Sequence, residues 1–205
     1  MAAGLYFVTG EAYSHGRSTL EVVRLALDGG VRLIQLREKE KTTRELLQLA
    51  AAVRELCDRY DALLIINDRV DIALAVDADG VHLGNDDLAP AHARRLFPEG
   101  IIGVSTHCEA EATGLENRGA SYFNIGPVFP TRTKSWDEAF LGVDRISSIA
   151  ACCSLPFSVM GGIDLGNVKQ VVDAGARTVA VVTAITRAPD PKLVCQRLLR
   201  IIRAE

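Results

Sequence analysis

Residues 121–134 read Ser-Tyr-Phe-Asn-Ile-Gly-Pro-Val-Phe-Pro-Thr-Arg-Thr-Lys. The stretch begins as a short β-rich run and passes at Gly126 into a loop stiffened by Pro127 and Pro130. The loop then presents two threonine hydroxyls and the Lys134 ammonium within four residues, which suits an anionic ligand. The same order, an apolar run that ends in a polar cluster, recurs along the chain and decides the predicted fold.

Eight short runs of β-branched or aliphatic residues are predicted as strands, and helical patterns separate them. The predicted strands are residues 5–9, 33–37, 63–67, 80–83, 101–105, 122–125, 157–160 and 178–182. The predicted helices are residues 19–28, 43–60, 70–76, 90–97, 109–118, 144–151, 167–173 and 191–202. Glycines that precede strands (Gly29, Gly30, Gly119, Gly175) are typical of left-handed helix ends.

Strict alternation of strand and helix indicates a parallel sheet. Eight such units in 205 residues predict one α/β domain over residues 1–205, a (β/α)8 TIM barrel. The main alternative is a doubly wound sheet with fewer strands, in which the weak run at residues 80–83 is not a strand. No Gly-x-Gly-x-x-Gly motif after the first strand supports that alternative.

The composition limits the function classes. The chain carries a net charge of −3 with an isoelectric point near 5.8, and it has no run rich in lysine and arginine. These features argue against nucleic acid or an anionic membrane as partner and leave small molecules. No apolar run reaches about 18 residues, so we expect a cytoplasmic protein, with a homo-oligomer possible. The five cysteines lack metal-site spacing, and we expect reduced, mostly buried thiols.

Polar clusters follow the predicted strands, where a TIM barrel places its active site. Seven clusters stand at 35–39, 67–69, 82–87, 105–107, 126–134, 161–162 and 182–183. Alternation along the second strand places Gln35, Arg37 and Lys39 on one face, with Leu36 and Glu38 on the other. Arg37 and Lys39 therefore point toward one ligand.

Asp68 and Asp87 lie in this cation-rich region, which favours a role in holding Mg²⁺ against phosphate oxygens. The structural alternatives are helix capping for Asp68 and a loop turn for Asp87. The pair Gly161-Gly162, together with the main chain near Val182 and Thr183, matches the phosphate site that often follows strands 7 and 8 of such barrels.

Two of the four histidines lie at strand ends. A structural role is favoured for His82. His107 follows Ser105 and is a candidate acid or base.

Seven motifs together resemble the thiamine phosphate synthase family over nearly the whole chain. They are Gln-Leu-Arg-Glu-Lys at 35–39, Ile-Asn-Asp-Arg-Val-Asp at 66–71, Gly-Val-His-Leu-Gly-x-Asp-Asp at 80–87, Gly-Val-Ser-Thr-His at 103–107, Gly-Pro-Val-Phe-Pro-Thr-x-Thr-Lys at 126–134, Gly-Gly-Ile at 161–163 and Val-Val-Thr-Ala-Ile at 181–185. The chain departs from the family pattern at Asn85, where glutamine is common, and at Thr183, where serine is common.

The resemblance implies a TIM-barrel transferase that joins 4-amino-5-hydroxymethyl-2-methylpyrimidine diphosphate to a thiazole ethyl phosphate and releases diphosphate. It implies that Gln35, Arg37, Lys39, Asn67, Ser105 and Lys134 bind the pyrimidine diphosphate, with Arg37, Lys39, Ser105 and Lys134 acting in catalysis. It also implies that Asp68 and Asp87 bind Mg²⁺ and that Thr131 and Thr133 contact the thiazole substrate. By the same resemblance, the thiazole phosphate is expected to rest on main-chain groups of Gly162, Val182 and Thr183, and the binding set is expected to include Leu36, Glu38 and Arg132 as well.

Two other functions stay open on the same resemblance. A related thiazole tautomerase would use His107 as its acid or base, but it needs neither aspartate nor a complete diphosphate-binding set. A non-catalytic regulator that binds thiamine precursors would be expected to have lost at least one charged contact. All of the charged contacts are present, which favours the synthase.

Overall fold

Eight parallel strands pair in chain order, and the last closes on the first to form a barrel. The protein is described from a computed structural model, which covers residues 4–131, 133 and 139–203. The strands are β1 (Leu5–Val8), β2 (Leu33–Leu36), β3 (Leu63–Asn67), β4 (Gly80–Leu83), β5 (Ile101–Thr106), β6 (Tyr122–Ile125), β7 (Phe157–Met160) and β8 (Val179–Val181). The predicted (β/α)8 barrel is therefore confirmed, and residues 80–83 are a strand.

Helices connect the strands and pack around the barrel. They are α1 (Thr19–Asp28), α2 (Thr43–Arg59), α3 (Val70–Ala75), α4 (Pro90–Leu96), α5 (Glu109–Ala112), α6 (Asp144–Ala150), α7 (Val168–Asp173), α8 (Thr183–Thr186) and α9 (Pro191–Ile202). Two 3-10 turns, Glu11–Tyr13 and Leu115–Arg118, lie in the loops after β1 and α5. No helix among the described residues is both long and apolar enough to cross a membrane.

The structure corrects one predicted helix and adds one that was not predicted. The helix predicted at residues 109–118 is broken, because Gly114 adopts a left-handed conformation with φ of 73° between α5 and the 3-10 turn. The short helix α8 was not predicted. The expected left-handed glycines are Gly30, Gly119 and Gly175, whereas Gly29 is right-handed.

Alternation along each strand separates two layers of the core. On β1, Leu5 and Phe7 face the helices and belong to the large cluster between the barrel and its helical shell. Tyr6 and Val8 instead join Ile65 in a small cluster inside the barrel. The apolar cluster inside the barrel is therefore small. Buried polar side chains occupy much of the remaining interior: Gln35, His82, Asn124 and Ser158.

Candidate active site

One cavity opens at the carboxyl ends of the strands and contains about 1210 Å³ of space, its solvent-open mouth included. Twelve residues of the predicted site line it: Gln35, Arg37, Lys39, Asn67, Asp68, Asp87, Ser105, Thr131, Thr133, Gly162, Val182 and Thr183. The topology therefore brings together residues that are up to about 150 positions apart in the sequence, as the barrel architecture requires.

Two described residues of the predicted set, Leu36 and Glu38, are not in this wall. Leu36 is buried in the core between the barrel and the helices. The Glu38 carboxylate accepts hydrogen bonds from the Glu11 amide at 3.0 Å and the Thr19 hydroxyl at 2.9 Å. Neither Leu36 nor Glu38 lines the cavity. Arg132 and Lys134 lie outside the described residues.

Arg37 is held at the cavity by its main chain. Its amide donates to the hydroxyl of Thr9, a buried residue at the end of β1, at 2.9 Å. Among residues 4–131, 133 and 139–203, no carboxylate pairs with the Arg37 guanidinium. A cation with this environment in a cavity wall suits an anionic ligand.

Asp68, Asp87 and Lys39 form a charged cluster across β2, β3 and β4. Lys39 Nζ pairs with Asp68 Oδ2. Burial and the neighbouring Asp68 carboxylate raise the pKa of Asp87 above its ordinary value. Two carboxylates placed this close favour a cation between them.

The backbone explains how these two aspartates are aimed. Asp68 has a left-handed φ of 62°, which is strained for a residue other than glycine, and its amide donates to the His82 carbonyl at 2.8 Å. Helix α3 has no side-chain cap hydrogen bond, so the capping role considered for Asp68 is wrong. Asp87 does close a turn, because its Oδ2 accepts from the Gly84 amide at 2.7 Å.

The loop after β6 packs against the glycine pair after β7. The amides of Val128 and Phe129 donate to the carbonyls of Met160 and Gly161, each at 3.0 Å. A Cβ on Gly161 would lie 2.5 Å from the Pro127 Cα, so glycine is required for this approach. The two segments that carry the predicted phosphate and thiazole contacts therefore form one wall.

Tyr13, on the 3-10 turn after β1, joins this loop to the opposite side of the cavity. Its hydroxyl donates to the Thr133 carbonyl at 3.1 Å. The Arg187 guanidinium, just after α8, lies 5.5 Å from the centre of the Tyr13 ring. These two contacts connect the loops that follow β1, β6 and β8.

His82 lies inside the barrel and contacts Ser105. Its Nε2 is 3.1 Å from the Ser105 hydroxyl, and its Nδ1 is 2.9 Å from the Tyr122 hydroxyl. Burial lowers the pKa of His82 to about 4, so the ring is neutral near pH 7. The structural role expected for His82 is consistent with these contacts, although the ring also lines the cavity.

His107 lies at the rim and has a carboxylate partner. Its Nδ1 is 2.9 Å from Glu111 Oε2, and the Asn85 amide donates to Glu111 Oε1 at 2.8 Å. Asn85, which departs from the family pattern, therefore contacts the carboxylate that orients His107.

Sequence reasoning missed several wall residues, including Tyr6, Asn124 and Met160. Asn124 had a signal, because a polar residue in an otherwise apolar strand indicates the barrel interior. Ser158 shares that signal, and its hydroxyl donates to Asn124 Oδ1 at 2.7 Å. No such signal in the sequence marked Tyr6, since tyrosine is common in ordinary strands.

Comparison with known proteins identifies a consistent set of similar chains. The model of the thiamine monophosphate synthase family matches residues 5–185. A thiamine-phosphate synthase of Halalkalibacterium halodurans is 44% identical over 193 residues, covering 94% of this chain and 92% of that protein. One of Haloarcula marismortui is 43% identical over 198 residues, covering 95% and 94%.

Solved structures agree with this result. The thiamine phosphate pyrophosphorylase from Pyrococcus furiosus superposes with a TM-score of 0.92 at 36% identity, covering 99% of this chain and 96% of that one. A 3-hexulose-6-phosphate synthase superposes with a TM-score of 0.70 at 20% identity, covering 97% and 99%, which indicates a shared fold alone.

Proposed function

This chain belongs to the thiamine monophosphate synthase family of transferases, and from that premise we propose that its cavity couples the pyrimidine diphosphate to a thiazole ethyl phosphate. The products are thiamine phosphate and diphosphate. The observation that carries this proposal is the meeting of Arg37, Lys39, Asp68 and Asp87 in one cavity wall. That group combines cations for a diphosphate with carboxylates for a metal.

The diphosphate is bound by Arg37 and Lys39, with Lys134 proposed as a third cation from the loop after β6. A close pair of unit charges interacts with about 4 kcal/mol at an effective dielectric constant of about 20. These cations favour the departing diphosphate more than the bound substrate, because charge grows on the leaving oxygen as the bond breaks.

Mg²⁺ fits the donor set. In the part of the chain that the structure describes, no group of three or more histidine, cysteine or acidic residues forms a complete metal cage. Asp68 and Asp87 would supply two carboxylates, a number that suits Mg²⁺, which usually keeps several water ligands. When bound, Mg²⁺ supplies charge neutralisation for diphosphate departure.

The organic parts of the substrates fit the other walls. Gln35 binds the aminopyrimidine through its side-chain amide, whose Nε2 donates one of its two hydrogens to the Tyr6 hydroxyl at 2.6 Å. Asn67 and Ser105 line the same cavity and bind the diphosphate group of this substrate. Thr131 and Thr133 contact the thiazole, whose phosphate rests on the main chain of Gly162, Val182 and Thr183.

The reaction needs no protein nucleophile. The aminopyrimidine supports a benzylic-type cation after diphosphate departs, and the thiazole nitrogen then attacks that carbon. The cavity aligns the two substrates and excludes water, which are its main contributions besides charge stabilisation. Residues 1–205 act as one catalytic domain in this proposal.

The tautomerase alternative rests on the His107–Glu111 contact, which gives a cavity histidine a carboxylate partner. Tautomerisation of a thiazole phosphate leaves the charged cluster around Asp68 and Asp87 without a role. A non-catalytic regulator would bind the precursors without turnover.

Variants of Arg37 and His107 separate these functions. In a synthase, Arg37→Ala abolishes thiamine phosphate formation, and His107→Ala retains a substantial fraction, because proton abstraction does not limit the coupling. Coupling and proton exchange on the thiazole phosphate alone are measured side by side for both variants. Efficient exchange that requires His107, with no coupling by the wild type, would overturn the synthase proposal. Binding of both precursors without either reaction would indicate the regulator.

A further inference from the structure

Five side chains form a continuous chain of hydrogen bonds through the barrel interior. Gln35 Nε2 donates to the Tyr6 hydroxyl at 2.6 Å, and the Tyr6 and Tyr122 hydroxyls lie 2.8 Å apart. The Tyr122 hydroxyl is 2.9 Å from His82 Nδ1, and His82 Nε2 is 3.1 Å from the Ser105 hydroxyl. The chain begins and ends at residues assigned to the pyrimidine diphosphate.

The first donor sets the direction of every later bond. An amide nitrogen only donates, so the Tyr6 oxygen accepts from Gln35, and the single Tyr6 hydroxyl hydrogen is directed to the Tyr122 oxygen. The single hydrogen of Tyr122 is then directed to His82 Nδ1. A neutral imidazole that accepts at Nδ1 carries its proton at Nε2. His82 Nε2 therefore donates to the Ser105 oxygen.

We propose that Tyr6 and Tyr122 are positioning residues that fix His82 as its Nε2-protonated tautomer and thereby direct the Ser105 hydroxyl hydrogen toward the substrate. The effect on catalysis rests on the function proposed above, in which Ser105 binds the diphosphate substrate. The tautomer itself does not depend on that function.

The direction matters because the substrate is an anion. Phosphate oxygens accept hydrogen bonds, so Ser105 contributes only when its hydrogen is available to them. In the reverse arrangement, Ser105 would donate to His82 and present only oxygen lone pairs to the diphosphate. The tautomer thus decides whether Ser105 attracts or repels its ligand.

The ring of Tyr122 is held so that its hydroxyl reaches this position. A Cβ on Gly103 would lie 2.2 Å from Tyr122 Cζ and 2.3 Å from its hydroxyl oxygen, so the glycine on β5 makes room for the phenol. The Tyr6 ring meets it edge-on at 6.2 Å, and the His82 ring lies 5.6 Å away. Packing therefore fixes the ring independently of its hydrogen bonds.

The tautomer is measured on the free protein by ¹⁵N NMR of the histidine rings at pH 7 to 8. The sequence has four histidines, and His82→Asn identifies the signal of His82. We expect a protonated Nε2 and an unprotonated Nδ1. A ring protonated at Nδ1, or at both nitrogens, would overturn the proposal while leaving the coupling function intact.

Tyr122→Phe removes the hydroxyl and keeps the ring. We expect a mixture of His82 tautomers and a loss of about tenfold in kcat for coupling, as for a lost hydrogen bond to a charged group. The matched control is Tyr60→Phe, which removes the hydroxyl that donates to Asp28 at 2.6 Å on the protein surface. The control should change neither the NMR signal nor kcat, and equal effects of the two variants would contradict the proposal.

A double-mutant cycle tests whether Tyr122 acts through Ser105. If it does, Tyr122→Phe combined with Ser105→Ala loses no more activity than Ser105→Ala alone. Fully additive losses would show that Tyr122 acts by another route and would overturn the positioning role. Absence of coupling in the wild type would instead contradict the proposed function, and the NMR result would still decide the tautomer.

Discussion

At the scale of single residues, the site depends on charges that compensate one another. Lys39 pairs with Asp68, and burial together with the Asp68 carboxylate raises the pKa of Asp87. The two carboxylates are therefore costly to keep together without a cation. A divalent cation held by these carboxylates would offset that cost.

Asp87→Asn tests the metal assignment. We expect turnover to fall at least about 100-fold, because even outer partners of metal ligands are worth about 10- to 100-fold. The thermal unfolding temperature should stay level or rise, since burial and Asp68 raise the pKa of Asp87 and its charge therefore disfavours the folded state. Activity is measured over a range of Mg²⁺ concentrations, and unfolding is followed by circular dichroism.

The control for this prediction is Asp71→Asn. Asp71 pairs with Arg69 outside the cavity and should leave turnover nearly unchanged. Normal turnover of the Asp87→Asn variant would remove Asp87 from the metal site.

At the scale of elements, the sequence predicts which segments are strands better than it predicts what each side chain does. The eight strands were predictable because each is a short apolar run, which is visible in the local sequence. The break after α5 depends on the conformation of Gly114, and helix α8 is only four residues long. Such features carry little periodic signal.

In the candidate site, too, the sequence predicts some features and misses others. Charged residues at strand ends were predictable, because barrel topology collects them at one face. The tie between Tyr13 and Thr133 was not predictable, since it joins residues 120 positions apart in two loops. Only the folded backbone reveals such a contact.

Tyr13→Phe tests whether this tie holds the loop after β6 in place. Loss of one neutral hydrogen bond should raise the KM for the thiazole phosphate about threefold to tenfold, with kcat nearly unchanged. The ring stays beside Arg187 in this variant, so its packing is kept. Steady-state kinetics with each substrate varied in turn give both constants.

The KM for the pyrimidine diphosphate is the internal control in these measurements. An equal rise in both KM values would indicate a general disturbance of the cavity, and unchanged constants would show that the tie does not affect binding.

At the scale of the whole molecule, helices α2 and α9 are integral parts of the core. Cys57 on α2 and Cys195 on α9 are fully buried in the layer between helices and barrel. Burial raises the pKa of each thiol to about 12. Cys153 is also buried, whereas Cys108 and Cys152 are partly exposed. The expectation of mostly buried, reduced thiols agrees with this arrangement.

Thiol reactivity checks this packing. At pH 8, Ellman's reagent should react quickly with at most two of the five thiols, Cys108 and Cys152, and with all five only in guanidinium chloride. Cys152→Ser should reduce the fast phase by one thiol. Fast reaction of all five in the native protein would mean that α2 and α9 open readily.

We propose that this barrel couples its two substrates with the help of a divalent metal. The most direct measurement incubates the purified protein with the pyrimidine diphosphate, the thiazole ethyl phosphate and Mg²⁺, and quantifies thiamine phosphate and diphosphate. We predict equal amounts of both products, none in the presence of excess EDTA, and recovery when Mg²⁺ is restored. Failure of the folded protein to form either product, or full activity in EDTA, would contradict the claim.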